Sequence, residues 1–313
     1  MKIAFLCPGQ GSQAVGMGRA FADASRAAAA IWQEADEALG FSLSRLCREG
    51  PEGDLLLTAN TQPAVLTATV AAAAVLAEHG IVPDLAAGHS LGEYSALVLA
   101  GALSFRDAVQ LVRKRGEFMQ EAVPVGTGAM AALMGVELAA AETACAEASD
   151  GEVVGVANIN APGQIVIAGH RTAVERAVKA AAARGGRRSV MLPVSAPFHS
   201  ALMTPAADRL AAALEQVAVA RPRVPVVRNV DAGLTTEAQD VRPFLVQQVA
   251  SPVRWTACVE RLHREGAEVY LEVGSGRVLT GLLKRTLDDA PSQAVEDPAS
   301  LDKAVALLEG GGR

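Results

Sequence analysis

Short apolar segments alternate along the chain with longer, alanine-rich segments of helical period. The apolar segments predict strands at residues 2–7, 84–87, 226–230 and 268–273. The periodic segments predict helices at residues 25–39, 60–79, 105–120, 203–217, 242–249, 255–265 and 299–308. The helix at 60–79 is expected to start at Asn60, which puts Pro63 in its first turn, where proline is tolerated. The alternation predicts an α/β fold.

The middle of the chain has a different order of elements. Strands are predicted at 129–133, 153–158, 164–168 and 189–192, with helices at 139–148 and 171–184. This βαββαβ order is typical of a ferredoxin-like unit. A Pro- and Gly-containing segment at 123–128 precedes it and resembles a hinge. We therefore predict a small ferredoxin-like subdomain at 125–196, inserted into a large, discontinuous α/β domain at 1–124 and 197–313.

The helix predicted at 105–120 has a charged residue on its apolar face. Ser104 and Asp107 form a variant capping box at its start. Arg115 lies on the same face as the apolar residues, which are Phe105, Ala108, Val109, Val112, Gly116 and Met119. A buried guanidinium without a partner is strongly destabilising. Arg115 is therefore either part of a buried ion pair, a side chain that extends to solvent, or a group that binds a substrate carboxylate with two hydrogen bonds.

A serine lies between two glycines in Gly88-His89-Ser90-Leu91-Gly92. A short apolar strand precedes this Gly-x-Ser-x-Gly sequence, and residues 91–100 predict a helix after it. That context favours a nucleophile elbow, a tight turn that exposes the serine hydroxyl, although the pentapeptide alone also fits a structural turn. The crowded turn leaves room only for glycine at Gly88 and Gly92. The free N–H groups of the following helix would point toward Ser90.

A serine hydroxyl needs a base to become a good nucleophile at neutral pH. Of the five histidines, His89 is expected to point away from the substrate, and His170 and His263 are expected to be solvated among charged residues. His199 lies in a proline-bent loop after the small subdomain, and catalytic side chains concentrate on such loops. His199 is therefore the candidate base, with a structural histidine as the alternative.

The loop at 9–14 follows the first predicted strand. Its sequence fits Gly-x-Gly-x-x-Ala, but a dinucleotide site would need a second strand ending in an acidic residue, and a helix is predicted there instead. We expect the loop to approach Ser90. Gln10, through its side chain or amide, would then form an oxyanion hole with the N–H of Leu91, and each such donor lowers a barrier by roughly 3 kcal/mol.

Composition excludes several classes of function. The 313 residues carry a formal net charge of -6, which disfavours a nucleic-acid-binding protein. The four cysteines are far apart without metal-ligand spacing, which favours a reducing, cytoplasmic compartment. The segment before Pro8 is too short for a signal peptide, and the apolar stretch at 64–77 is too short to span a bilayer. We expect no metal and no membrane association.

These motifs together resemble those of the malonyl-CoA:acyl carrier protein transacylases of fatty-acid synthesis. The resemblance covers essentially the whole chain. It is carried by Pro8-Gly9-Gln10-Gly11-Ser12-Gln13, Thr61-Gln62-Pro63-Ala64, Gly88 through Ala96, Leu111-Val112-Arg113, Arg115-Gly116, Met119 through Pro124, Leu192-Pro193-Val194-Ser195, His199, Asn229-Val230, Pro252-Val253 and Glu272-Val273-Gly274.

The resemblance implies a hydrolase-like core with a central, mostly parallel sheet and a site in the cleft beside the ferredoxin-like insert. It implies that Ser90, deprotonated by His199, takes a malonyl group from malonyl-CoA. The phosphopantetheine thiol of acyl carrier protein then takes that group from Ser90. Gln10 and the Leu91 amide would hold the oxyanion, and Arg115 would hold the malonyl carboxylate. The main-chain carbonyl of Gln248 would orient the imidazole, in place of an aspartate.

The resemblance also bears on selectivity and partners. Phe198 resembles the residue of malonyl-selective relatives, in which a bulky side chain crowds an α-methyl branch, and Met119 would line the same pocket. We expect malonyl to be preferred over methylmalonyl. The implied partners are acyl carrier protein and coenzyme A thioesters, with no bound cofactor and no nucleic acid, and we expect a monomer.

Other functions remain open on the sequence alone. A free-standing malonyl transferase for a polyketide synthase or a malonate decarboxylase would use the same site with a different acceptor. A serine esterase or thioesterase would use the same elbow with water as acceptor and would not need Arg115. A non-catalytic scaffold that binds the carrier would need none of Ser90, His199 and Gln10.

Overall fold

The computed structural model describes residues 1–194 and 196–310. Its strands are β1 (Ile3–Cys7), β2 (Leu85–Gly88), β3 (Gly128–Met134), β4 (Val154–Ala161), β5 (Gln164–His170), β6 (Arg188–Met191), β7 (Val226–Val227), β8 (Leu234–Thr235), β9 (Val269–Val273) and β10 (Ser292–Val295). Its helices are α1 (Arg19–Ala24), α2 (Arg26–Leu39), α3 (Leu43–Glu49), α4 (Glu52–Leu55), α5 (Thr58–Glu78), α6 (Gly92–Leu99), α7 (Phe105–Glu121), α8 (Leu138–Ala148), α9 (Arg171–Ala182), α10 (Thr204–Leu214), α11 (Ala238–Val249), α12 (Trp255–Arg264), α13 (Val278–Thr286) and α14 (Pro298–Gly310).

Six strands form the larger sheet, in the order β10-β9-β1-β2-β7-β8. All of its pairings are parallel except that of β8 with β7. Cys7 at the end of β1 is paired with Gly88 at the end of β2. The loops that follow these two central strands therefore meet at the carboxyl edge of the sheet, where α/β folds bind their ligands. The predicted α/β core with a mostly parallel sheet is confirmed.

The two outer strands of this sheet were not predicted. β8 has only two residues, and β10 has the sequence Ser-Gln-Ala-Val, in which half of the positions are polar. β7 is also shorter than expected, with two residues instead of five. A search for apolar runs finds strands that are buried on both faces, and it misses short strands at a sheet edge.

Helix α5 begins at Thr58, so the predicted start at Asn60 is wrong and Pro63 lies inside the helix. Proline has no N–H, so the carbonyl of Ala59 lacks its usual partner one turn later. Arg113 of α7 donates to that carbonyl over 3.2 Å and therefore replaces the missing bond. In the described part of the chain, α5 is the one helix whose length and composition would suit a membrane span, and 83% of its apolar window is buried inside the protein.

The smaller sheet has the order β4-β5-β3-β6 and is antiparallel throughout. Helices α8 and α9 pack on it around an alanine-rich core. This is the predicted ferredoxin-like unit, with each of its six elements present. His170 is not simply solvated as expected, because its Nδ1 accepts a hydrogen bond from the N–H of Val153 at 2.9 Å. The domain boundaries at 125 and 196 stay a prediction, and Ser195 lies outside the described residues.

The two sheets share apolar packing. Met130 and Ala168 of the smaller sheet belong to the same buried cluster as Leu91 and Met119 of the larger part. Val253 adds main-chain contacts, since its N–H donates to Ala157 and its carbonyl accepts from Ile159, both over 2.9 Å. The smaller sheet and the larger α/β part are therefore held together by apolar packing and by main-chain hydrogen bonds, and both line the cleft between them.

Candidate active site

The turn between β2 and α6 holds Ser90 in a left-handed conformation with φ of 53°. A Cβ on Gly88 would lie 1.8 Å from the main chain of Gly92, and one on Gly92 would lie 2.0 Å from the carbonyl oxygen of Cys7. The predicted elbow and its requirement for two glycines are confirmed. Asn229 fastens the turn, because its Oδ1 accepts from the N–H of Ser90 and its Nδ2 donates to the carbonyl of Gly88, each over 2.7 Å.

His199 reaches the serine from the loop that follows the small subdomain. Its Nε2 lies 2.7 Å from Ser90 Oγ, and its Nδ1 lies 2.9 Å from the main-chain oxygen of Gln248. A carbonyl oxygen only accepts, so Nδ1 carries the ring proton and Nε2 is left to accept from the serine hydroxyl. Burial and the nearby charge of Arg115 lower the pKa of His199 to about 3, which keeps the imidazole neutral at neutral pH.

Arg115 of α7 is 2% exposed and lies beside the serine. Its Nη2 donates to Ser90 Oγ over 3.1 Å and to Gln248 Oε1 over 2.9 Å, and its Nη1 donates to Gln62 Oε1 over 2.7 Å. The guanidinium also lies 5.3 Å from the ring centre of Tyr94. Within residues 1–194 and 196–310, no carboxylate forms a salt bridge with Arg115, and its Nε has no hydrogen-bond partner. The site therefore holds a buried cation whose hydrogen-bond partners among the described residues are all neutral.

The loop after β1 lies against the elbow, as expected. A Cβ on Gly9 would lie 2.4 Å from the carbonyl oxygen of His89, so a residue with a side chain would force the two segments apart. Gln10 follows it, with its side-chain amide 3.3 Å from Thr58 Oγ1. In the described part of the chain, the main-chain N–H groups of Gln10 and Leu91 make no hydrogen bond. Both groups are therefore free to bind an oxyanion.

Behind the serine, Gln248 joins several groups of the site. Its Nε2 donates to the carbonyl of Ser90 over 3.0 Å and to Glu93 Oε2 over 2.7 Å. Glu93 Oε2 also accepts from the N–H of Asn229 over 3.0 Å. Burial raises the pKa of Glu93 to about 7, although these hydrogen bonds and the charge of Arg115 act in the opposite direction.

A cavity of about 210 Å³ collects most of the predicted site residues. Its lining includes Gln10, Ser90, Leu91, Arg115, Met119, Phe198 and His199. Gln248 stands outside the lining and touches the site through Arg115 and His199. Among the described residues, no group of three or more His, Cys, Asp or Glu is arranged to hold a metal ion.

Three polar residues of the site had no role assigned from the sequence. These are Gln62, Glu93 and Asn229, which lie within the motifs that carried the resemblance. The signal for Gln62 and Glu93 is that each is a polar residue in a segment whose neighbours are apolar and buried, α5 for Gln62 and α6 for Glu93. Asn229 follows a two-residue strand and gives no comparable signal.

Comparison with known proteins gives one consistent result. The family described as an acyl transferase domain matches residues 4–304. The chain is 50% identical over 307 residues to the malonyl CoA-acyl carrier protein transacylase of Escherichia coli O157:H7, covering 98% of this chain and 99% of that protein. It is 47% identical over 309 residues to the protein of the same name from Bacillus subtilis, covering 98% of each.

Solved structures agree with the sequence relatives. An acyl carrier protein S-malonyltransferase from Vibrio cholerae superposes with a TM-score of 0.95 at 48% identity, over 97% of this chain and 100% of that one. A malonyl-transacylase in complex with its type II PKS acyl-carrier protein superposes with a TM-score of 0.95 at 47% identity, over 98% of this chain and 99% of that one.

Proposed function

Because the chain belongs to the malonyl-CoA:acyl carrier protein transacylase family of acyltransferases, we propose that it transfers malonyl from malonyl-CoA to acyl carrier protein through an ester on Ser90. The observation that carries this proposal is the position of Arg115. Its buried guanidinium touches the nucleophile and has no carboxylate partner among the described residues. A malonyl group supplies that carboxylate, whereas an esterase has no use for a cation at this place.

Acylation begins when Ser90 Oγ attacks the thioester carbonyl of malonyl-CoA. The hydroxyl proton moves over the 2.7 Å contact to Nε2 of His199, which is neutral and held in the required tautomer. The N–H groups of Gln10 and Leu91 stabilise the tetrahedral oxyanion. When the carbon–sulfur bond breaks, the coenzyme A sulfur takes the proton from His199, and malonyl-Ser90 remains.

Deacylation runs the same chemistry in reverse with a different thiol. The phosphopantetheine thiol of the carrier gives its proton to His199 Nε2, and its sulfur attacks the carbonyl of malonyl-Ser90. The ester bond then breaks and Ser90 regains the proton from His199. Arg115 holds the distal carboxylate in both half-reactions, so the reacting carbonyl keeps one position.

Phe198 and Met119 give the acyl pocket its selectivity in this proposal. Both line the cavity, and they are 8% and 2% exposed. A branch at the α-carbon would need space that Phe198 occupies, so acylation by malonyl-CoA should be at least tenfold faster than by methylmalonyl-CoA. Stopped-flow measurement of coenzyme A release with each thioester checks this. Equal rates would contradict the assignment to Phe198.

The acceptor is proposed to be the carrier of fatty-acid synthesis. A carrier of polyketide synthesis is a second candidate acceptor, because a relative of 47% identity is bound to a type II PKS acyl-carrier protein in its solved structure. The chemistry of Ser90 is the same for either carrier. We further propose a cytoplasmic monomer that acts in lipid metabolism without a bound cofactor. The compartment is supported by the four cysteines, which are free and buried.

Transfer of labelled malonyl tests the function. Malonyl-CoA labelled in the malonyl group is mixed with the enzyme and with holo carrier, apo carrier or no carrier. The proposal expects labelled enzyme in all three mixtures and, of the two carriers, label on the holo form only, because the apo carrier lacks the phosphopantetheine thiol. Release of free malonate at a rate that does not depend on the carrier would instead identify a hydrolase. Binding of the carrier with no release of coenzyme A would identify a scaffold.

A further inference from the structure

Glu93 is a buried carboxylate that the mechanism above does not use. It lies in the first turn of α6, directly after the elbow, and is 3% exposed. A carboxylate in such a place is costly unless hydrogen bonds compensate its burial. Its Oε2 accepts from Gln248 Nε2 and from the N–H of Asn229. Both donors belong to residues that hold the reacting groups.

The Gln248 amide has only one orientation that satisfies its neighbours. A guanidinium only donates, so Arg115 requires the amide oxygen on its side. The carbonyl of Ser90 and the carboxylate of Glu93, which is ionised above its pKa of about 7, only accept, so both require the NH₂ group on the opposite side. Arg115, Gln248 and Glu93 therefore form one chain of hydrogen bonds with a fixed direction. The main chain of the same glutamine orients His199.

Glu93 also favours the charged form of Arg115. The direct partners of its guanidinium are the neutral oxygens of Gln62, Ser90 and Gln248. Burial lowers the pKa of Arg115, and Tyr94 and the negative charge of Glu93, which lies behind the Gln248 side chain, act in the opposite direction. A carboxylate in direct contact with Arg115 would compete with the substrate, whereas one placed behind a glutamine does not.

We propose that Glu93 is a positioning residue of the acylation step. Together with the carbonyl of Ser90 it fixes the Gln248 amide in one orientation, and it balances the charge of Arg115 while leaving the guanidinium open to a substrate carboxylate. This inference rests on the proposed function. Glu93 contributes a hydrogen-bond acceptor and a negative charge. One substitution can remove the charge alone, and another can remove both.

Glu93→Gln keeps an oxygen that can accept from Gln248 and Asn229 but removes the charge. We expect its maximal rate of malonyl-Ser90 formation to stay within about threefold of wild type. The concentration of malonyl-CoA at half-maximal rate should fall about threefold to tenfold, because less negative charge opposes the incoming anion. The same concentration for acetyl-CoA, which has no free carboxylate, should not change. Glu93→Ala removes the acceptor as well, and its maximal rate should fall at least about tenfold.

Rapid-quench mass spectrometry of the protein at a series of thioester concentrations measures both quantities, at pH 8, which is above the Glu93 pKa of about 7. Asp36→Asn serves as a control, since Asp36, like Glu93, accepts from one backbone N–H and from a side-chain donor, here the N–H and the hydroxyl of Ser44, and does not line the cavity. That variant should match wild type in both quantities. Thermal unfolding shows whether each variant is folded, and Glu93→Gln alone still decides the role of the charge if Glu93→Ala does not fold.

The inference is overturned if Glu93→Gln leaves half-saturation by malonyl-CoA unchanged or raises it. It is also overturned if a folded Glu93→Ala forms malonyl-Ser90 as fast as wild type. A purely structural role would lower the amount of active enzyme in both variants. It would not change the half-saturating concentration of malonyl-CoA relative to that of acetyl-CoA, and this result would also overturn the inference. If wild-type enzyme forms no malonyl-Ser90 at all, the proposed function itself fails, which is a different result.

Discussion

Ser90 and His199 are both non-glycine residues with positive φ, of 53° and 59°. Each such conformation costs of order 1–3 kcal/mol and persists only where the surroundings hold it. Asn229 holds the Ser90 turn through two hydrogen bonds, and the Gln248 carbonyl holds the His199 ring. The nucleophile and the base are therefore kept 2.7 Å apart before any substrate arrives.

At Arg115, we expect a loss of activity that depends on the acyl group. Arg115→Ala removes the cation that would grip the malonyl carboxylate. Hydrogen bonds to charged groups contribute about 1.5–3 kcal/mol each, so the preference for malonyl-CoA over acetyl-CoA in Ser90 acylation should fall about 100-fold or more. Coenzyme A release by the variant and by wild type, with each thioester, measures that preference.

The ratio of the two rates is the useful quantity in that experiment. Arg115→Ala also leaves oxygens of Gln62 and Gln248 without a donor and can lower the amount of active enzyme. Such a loss affects both thioesters equally and cancels in the ratio. An unchanged ratio would mean that Arg115 is a structural cation and would favour the esterase alternative.

At His199, we expect a pH profile without the usual titration of a histidine base near pH 6.5. The charged form of the imidazole is disfavoured by burial and by Arg115, and the pKa of His199 is lowered to about 3. The base is therefore already neutral at pH 5. The second-order rate constant for acylation, which reports the free enzyme, should not decline between pH 8 and pH 5. Stopped-flow assays with circular dichroism at each pH check this, and a decline centred near pH 6.5 would contradict it.

At the scale of elements, the packing of α5 against α7 supports the site. Arg115 of α7 faces the cavity, while Arg113 on another face of the same helix satisfies the Ala59 carbonyl that Pro63 leaves without a partner. Two arginines two positions apart therefore have separate tasks. One serves the site, and the other holds the helix that carries Gln62.

Arg113→Ala should lower the free energy of unfolding by about 1–2 kcal/mol, because it leaves a carbonyl in α5 without a partner. Urea titration followed by circular dichroism measures the change. Arg106→Ala on the same helix is the control, since its salt bridges with Glu34 and Glu37 are exposed and contribute at most about 0.5 kcal/mol. Equal effects of the two substitutions would show that the Ala59 contact contributes little.

At the scale of the whole molecule, the sequence pattern predicted the elements that depend on neighbouring residues, but not the contacts between distant ones. The central strands, the elbow and all six elements of the ferredoxin-like unit follow from periodicity and glycine placement. The loop that carries His199 marked it as a candidate base, with a structural histidine as the alternative. The resemblance then favoured its pairing with Ser90 and supplied the role of the Gln248 carbonyl. The contacts of Glu93 and Asn229 join residues more than 130 positions apart, and no periodicity encodes such contacts. The edge strands and the start of α5 were missed because tertiary contacts, not propensity, stabilise them.

The central claim is that a malonyl ester forms on Ser90. The most direct measurement is the intact mass of wild-type protein and of Ser90→Ala after mixing with malonyl-CoA in the absence of any carrier. We expect one added malonyl group on the wild-type protein and none on the variant. Coenzyme A released by wild type without an adduct, or the same adduct on Ser90→Ala, would contradict it.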